Sequence, residues 1–226
     1  MYMAHIHLPE GSIPLWAVGL WSALAAVVLA AAVYRLRRDG LDASHVALGG
    51  MVAAASFAVF QINIPVLGGV HLSLSALVGI LVGPALGAIV MFVVNVLSAM
   101  LGHGAWGFLG ANTLVSVVEV AGAYYVFQLL RRTDWSHFPA ATLATIGGLA
   151  AGSILMGSIP MVSGITGVEI SGLDLGIYML ALVAVNLAVA VVEGIVTGSV
   201  VSHIASIRPD LLGDRTPTAG PEVTGS

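Results

Sequence analysis

The chain has no cysteine and no lysine, and only 8% of its 226 residues are charged. Each shortage excludes something. Without cysteine there is neither a disulfide nor a thiolate metal site, so metal chemistry here is limited to nitrogen and oxygen donors. A soluble domain carries about 25% charged residues, and a chain this poor in charge cannot coat a water-facing globule. No HExxH, GxSxG or Walker A sequence occurs, so no recognisable peptidase, acyl-hydrolase or nucleotide-binding element is present. What remains is apolar: 58% hydrophobic residues and a mean hydropathy of +1.04. The fold class that follows is an all-α integral membrane protein, folded as one helical bundle rather than two domains.

Seven apolar segments are expected, at residues 13–34, 44–62, 70–82, 84–101, 109–130, 139–159 and 173–205. The third is too short to cross a bilayer fully. It is separated from the fourth by Gly83-Pro84, a pair that interrupts a helix. The arginines decide between one kinked crossing and two segments. They fall at 35–38, at 131–132, and at 208 and 215, and cytoplasmic loops carry the excess of positive charge. Seven segments with the N-terminus outside and the C-terminus cytoplasmic place all three clusters on one side. The first segment follows Glu10 and precedes Arg35, Arg37 and Arg38, the reverse of a signal peptide's charge order. It is therefore expected to be a retained helix. The expected organisation is an extracytoplasmic arm at 1–12, a membrane bundle at 13–207 and a disordered cytoplasmic tail at 208–226.

The same topology sorts the histidines. His5, His7, His71 and His103 fall at outer ends of segments, and His45, His137 and His203 at inner ends. For the inner three, capping or solvation near the headgroups suffices. The outer four converge if the bundle brings their ends together. Imidazole without thiolate or clustered carboxylate suits Ni(II), Cu(II) or Co(II). Translation starting at Met3 would place a free amine beside His5, at Met3 or at Ala4 after loss of the initiator. Amine, amide and imidazole could then chelate together. With Met1 retained, His5 and His7 would act by side chain alone, or form a solvated arm.

Polar residues inside apolar runs are costly and often functional. Asn95, Asn112 and Asn186 are expected to bond between helices, and Glu119 and Glu193 to be buried neutral carboxyls or ties to neighbouring loops. Small residues are dense in the first two segments. Ala26 and Ala30, like Gly50 and Ala54, share a face, for which internal packing is the default reading and a docking surface for a second membrane subunit the sharper one.

HLPEG, QINIPV followed by GGVHL, ILVGP, GHGAWGFLGAN and EGIVTGSV with RPDLL resemble the CbiM/NikM substrate-capture components of energy-coupling-factor cobalt and nickel transporters. The similarity runs in order from about His5 to Leu212. It implies a seven-helix subunit, not an enzyme, that takes up Co2+ or Ni2+, with cobalamin biosynthesis as one destination and no organic cofactor. It also implies partners: a transmembrane coupling subunit, cytoplasmic ATPases and a small accessory membrane subunit. In the family the metal is held by the N-terminal amine, the amide and imidazole of a second-position histidine, and the histidine of a GGxxHL-type loop. The last corresponds to His71. HLPEG aligns the second-position histidine with His7, whereas the amine–amide arrangement fits Ala4-His5; both are carried as candidates. His103 lies in a GHGG-type loop, altered here by Ala105, and is expected to support or gate the site along with Asn112 and Asn63. Two rivals are a capture subunit for an organic vitamin and a membrane metalloenzyme. The first would need an aromatic or polar pocket in mid-bundle. The second would need a catalytic carboxylate, for which Glu10 is the nearby candidate.

Overall fold

The computed structural model describes residues 11–62, 71–102, 104–165 and 172–212. Six helices account for most of them: α1 Leu15–Asp39, α2 Ala43–Phe60, α3 Ser75–Met100, α4 Leu109–Arg132, α5 His137–Ser163 and α6 Gly172–Ile207. All six are long and apolar enough to cross a membrane. Among the described residues there is no strand.

α3 is not one straight rod. Gly83 sits at φ 75°, ψ 174°, a conformation open to glycine and disfavoured for other residues, and Pro84 cannot donate the hydrogen bond a continuous helix would need. The chain turns back on itself there. A Cβ built on Gly87 would lie 3.8 Å from the Cα of Gly79 and 3.4 Å from Val78. In a straight helix residues 79 and 87 would be about 12 Å apart. Residues 75–82 are thus a half-length piece folded against residues 84–100. The short segment begins at Ser75 rather than at residue 70, and His71 to Leu74 precede it as non-helical chain.

α4 lies between α3 and α5, α6 packs on α5, α2 covers α3, and α1 packs across α4 and α3. One core, with Val78, Val94, Val120, Phe127 and Val201 at its centre, joins α3, α4 and α6. A second gathers Ile13, Phe108, Ala111, Ile159 and Met179, which are the beginnings of α1, α4 and α6 and the end of α5. Trp21 Nε1 donates to Ser163 Oγ at 2.9 Å close by. The opposite end carries the arginines: Arg35 and Arg132 border one cavity there with Gly83. The bundle therefore has an arginine end and a far end.

The small-residue faces of the first two helices do not pack internally. Ala26, Ala30, Gly50 and Ala54 are exposed, while Ala17, Ala25 and Ala32 take the buried positions of α1. The default reading of those faces is overturned: the buried stripe is offset from the small pairs.

Candidate metal-capture site

His71 is 4% exposed and stacks on Phe60, the last residue of α2, with ring centroids 5.6 Å apart and an interplanar angle of 27°. A neutral imidazole can be buried in this way because its faces are apolar and its two nitrogens lie at the edge. The chain that carries it is tied down two residues later. Ser73 donates its backbone N–H to Glu193 Oε2 at 3.0 Å and its hydroxyl to Oε1 at 3.1 Å. Ser75 donates its hydroxyl to Glu119 Oε2 at 2.7 Å, and the Ser73 and Ser75 oxygens are 2.9 Å apart. Between them Leu74 occupies the left-handed region at φ 53°, a strained state for a residue with a Cβ, one that surrounding structure must impose. Two carboxyl groups, from α4 and α6, hold the serines on either side of it.

Both carboxyl groups are buried. Glu119 has room because α5 presents glycine: a Cβ at Gly152 would overlap the Glu119 side chain. Burying a carboxyl requires hydrogen-bond partners, and the serines supply them. The burial expected for Glu119 and Glu193 and the ties to a neighbouring loop are both observed. The asparagines behave as expected in part. Asn95 Nδ2 donates from α3 to Ser116 Oγ on α4 at 3.3 Å, and Asn186 Nδ2 on α6 reaches the Met156 sulfur on α5 at 3.9 Å while donating to the Leu182 carbonyl.

His71 opens onto a cavity also lined by Ser73, Glu119, Ser153, Asn186 and Glu193. A neighbouring cavity shares Ser73 and Glu119 and continues to Asn112, Gly104 and Ala105, so Asn112 faces the space next to the histidine loop. His5, His7, Ala4, Asn63 and His103 lie outside the described residues, as does Glu10. Among the described residues no three His, Asp or Glu side chains cluster closely enough to hold a metal ion. What these residues offer is one buried nitrogen donor on a braced loop. His45, at the start of α2, is exposed and engages the Asp42 carboxylate at 2.7 Å. The roles of Ser73 and Ser75 escaped the sequence reading, although HLSLS sets two hydroxyls two residues apart in a run with few other polar groups.

The family model described as the cobalt uptake substrate-specific transmembrane region, CbiM, matches residues 7–211. The chain belongs to the CbiM family. Among relatives, a fused nickel transport protein, NikMN, of Archaeoglobus fulgidus is 34% identical over 212 residues, covering 92% of this chain and 68% of its own. The cobalt transport protein CbiM of Sorangium cellulosum is 31% identical over 230 residues, covering 92% of this chain and 94% of its own. The fold resembles a crystal structure of a truncated transition metal transporter, with TM-score 0.77 and 20% identity over 89% of this chain and 99% of that one. Membership in CbiM and six long apolar helices make this a multi-pass membrane protein.

Proposed function

We propose that this CbiM-family chain is the substrate-capture subunit for uptake of Co2+ or Ni2+, and that His71 is its central ligand. The observation that carries the reading is the bracing of the His71 loop: a buried imidazole held between Phe60 and two serine–carboxylate ties, with polar cavities beside it. An imidazole fixed in this way loses little freedom on binding a metal, which favours affinity. The other donors come from the N-terminal arm, as His5 or His7 imidazole and, with a start at Met3, the Ala4 amine with the intervening amide. Such an all-nitrogen set suits Ni(II) and Co(II). His103 and Asn63 support the site with Asn112.

The bundle is oriented with its far end outside and its arginine end in the cytoplasm, as the positive-inside tendency favours. Counting the two pieces of α3 separately gives seven segments, an outer N-terminus and an inner C-terminus. The ion enters from the far end and leaves when the subunit moves against a transmembrane coupling protein. ATPases bound to that partner supply the energy, and cobalt so acquired serves cobalamin synthesis.

The test is metal binding to purified protein, by isothermal titration with Ni2+ and Co2+. His71→Ala is expected to lower affinity at least about 100-fold while the melting midpoint without metal stays near wild type. Unchanged affinity would remove His71 from the site. Residues added before His5 weaken binding if the terminal amine is a ligand and leave it unchanged if only side chains bind.

A further inference from the structure

The arginine end holds a cavity that metal capture does not use. Its walls are the last turns of α1, with Arg35, Leu36 and Asp39, and the Gly83 corner of α3. The third wall is the end of α4, with Tyr125, Gln128 and Arg132. A groove beside it adds Tyr34 and Arg38. Arg35, Arg38 and Arg132 border these two hollows with a single acidic residue, Asp39, whose carboxylate lies 3.5 Å from Arg35 Nε in an exposed pair; the local balance is positive. Arg131, the neighbour of Arg132, points elsewhere and donates to the Trp135 carbonyl.

We propose that this cavity binds the phosphate headgroup of an anionic membrane lipid. Four features favour a lipid over other anions. The cavity opens between membrane helices at the end where arginines gather, the level at which basic pockets meet phospholipid headgroups. Its polar rim is arginine, whose planar fork matches phosphate oxygens. Half-buried Leu36, Val82 and Leu86 give the same cavity an apolar wall, as the first carbons of acyl chains require. Exposed Tyr34 and Tyr125 and, at the same end of the bundle just past α4, Trp135 are the aromatics that settle at the membrane interface. The piece of α3 that starts at Pro84 begins on the cavity wall, and the N-terminal end of its peptide dipoles also favours negative charge. An acidic segment of a partner protein would match the arginines but not the apolar wall.

The experiment is lipid retention by the full chain. The protein is purified from bilayers of equal phosphatidylglycerol and phosphatidylcholine, and co-purifying lipid is quantified by mass spectrometry. Wild type is expected to retain phosphatidylglycerol at least about tenfold over phosphatidylcholine. The double variant R35Q/R132Q loses that preference, at roughly fivefold per arginine. R35K/R132K, which keeps the charge without the fork, retains part of it. H71A keeps the full preference, separating this site from the metal site. Excess glycerol phosphate that displaces the lipid would show that the headgroup alone is recognised; displacement needing a whole lipid would show that the apolar wall contributes. Equal retention of both lipids by wild type overturns the proposal, and so does a preference that survives R35Q/R132Q in protein with wild-type melting behaviour. A preference absent in wild type, together with R35Q/R132Q losing association with a co-expressed membrane partner, would overturn it in favour of an acidic protein segment.

Discussion

The outer helices α1 and α2 and the inner helices α3 and α5 are all apolar, yet they bury very different shares of their surface. In α5 the glycines meet other helices: Gly148 lies against the α4 backbone at Ala123, and Gly152 receives the Glu119 side chain. In α2, a Cβ on Gly50 would meet nothing within 4 Å. Half of the most apolar window of α3 and of α5 is buried, against 17% for α1 and 22% for α2. Hydropathy therefore marks what leaves water, and not whether lipid or protein receives it. A lipid tail is as apolar as leucine, so the two environments select similar composition and differ in packing.

That contrast can be broken by substitution. The largest effect is expected for Gly152→Leu, whose side chain must displace Glu119 and with it the Ser75 tie. Overpacking of this kind costs about 3 kcal/mol, read as a fall of roughly 10 °C in the melting midpoint, with metal binding lost as well. Gly50→Leu, on the outer face, should leave both within error. Equal damage from the two would mean that α2 has a protein neighbour at Gly50.

Glu193→Gln gives a smaller and sharper change. The amide places an N–H where Ser73 also donates, and a buried donor without an acceptor costs about 1–3 kcal/mol. Metal affinity is expected to drop about tenfold, with the His71 loop less fixed, while Ser73→Ala gives a lesser loss in the same direction. Unchanged affinity in both would mean that the carboxylate ties hold the fold but not the ligand.

The smallest effect lies at the start of α2. Asp42 accepts from the backbone N–H of His45 at 2.8 Å and from Ser44 Oγ at 2.9 Å. These bonds, the backbone one first, lower its pKa to about 2. A carboxyl whose folded pKa is depressed stabilises the fold above its unfolded value and loses that contribution as pH falls through the folded one. Fraying at the α2 start is therefore expected between about pH 4 and pH 2, measurable by hydrogen exchange at residues 43–46. It should be absent in Asp42→Asn. α5, whose cap residue Ser136 makes no such bond, should show no matching transition.

Much of this architecture was legible in the sequence. The apolar runs gave the helices to within a few residues, and Gly83-Pro84 marked the corner, because positive φ and a missing donor are local properties. His71 stood out through a motif. The ties that brace it did not, since Glu193 and Ser73 are 120 residues apart and Glu119 and Ser75 are 44 apart. Nothing local to a lone glutamate in an apolar run tells which loop it will meet. The outward aim of Ala26 and Ala30 was hidden for the same reason, as spacing defines a face but not its direction.

The short half of α3 has a consequence for depth. Glu119 lies ten residues into α4, about 15 Å below the far end of that helix, and it holds Ser75. The loop bearing His71 is thus sunk into the bundle, near the middle of an apolar layer about 30 Å thick. If His71 is the ligand proposed above, an ion bound there has crossed roughly half of that layer. What separates it from the arginine end is thin: the eight residues from Ser75 to the Gly83 bend and the helices packed around them.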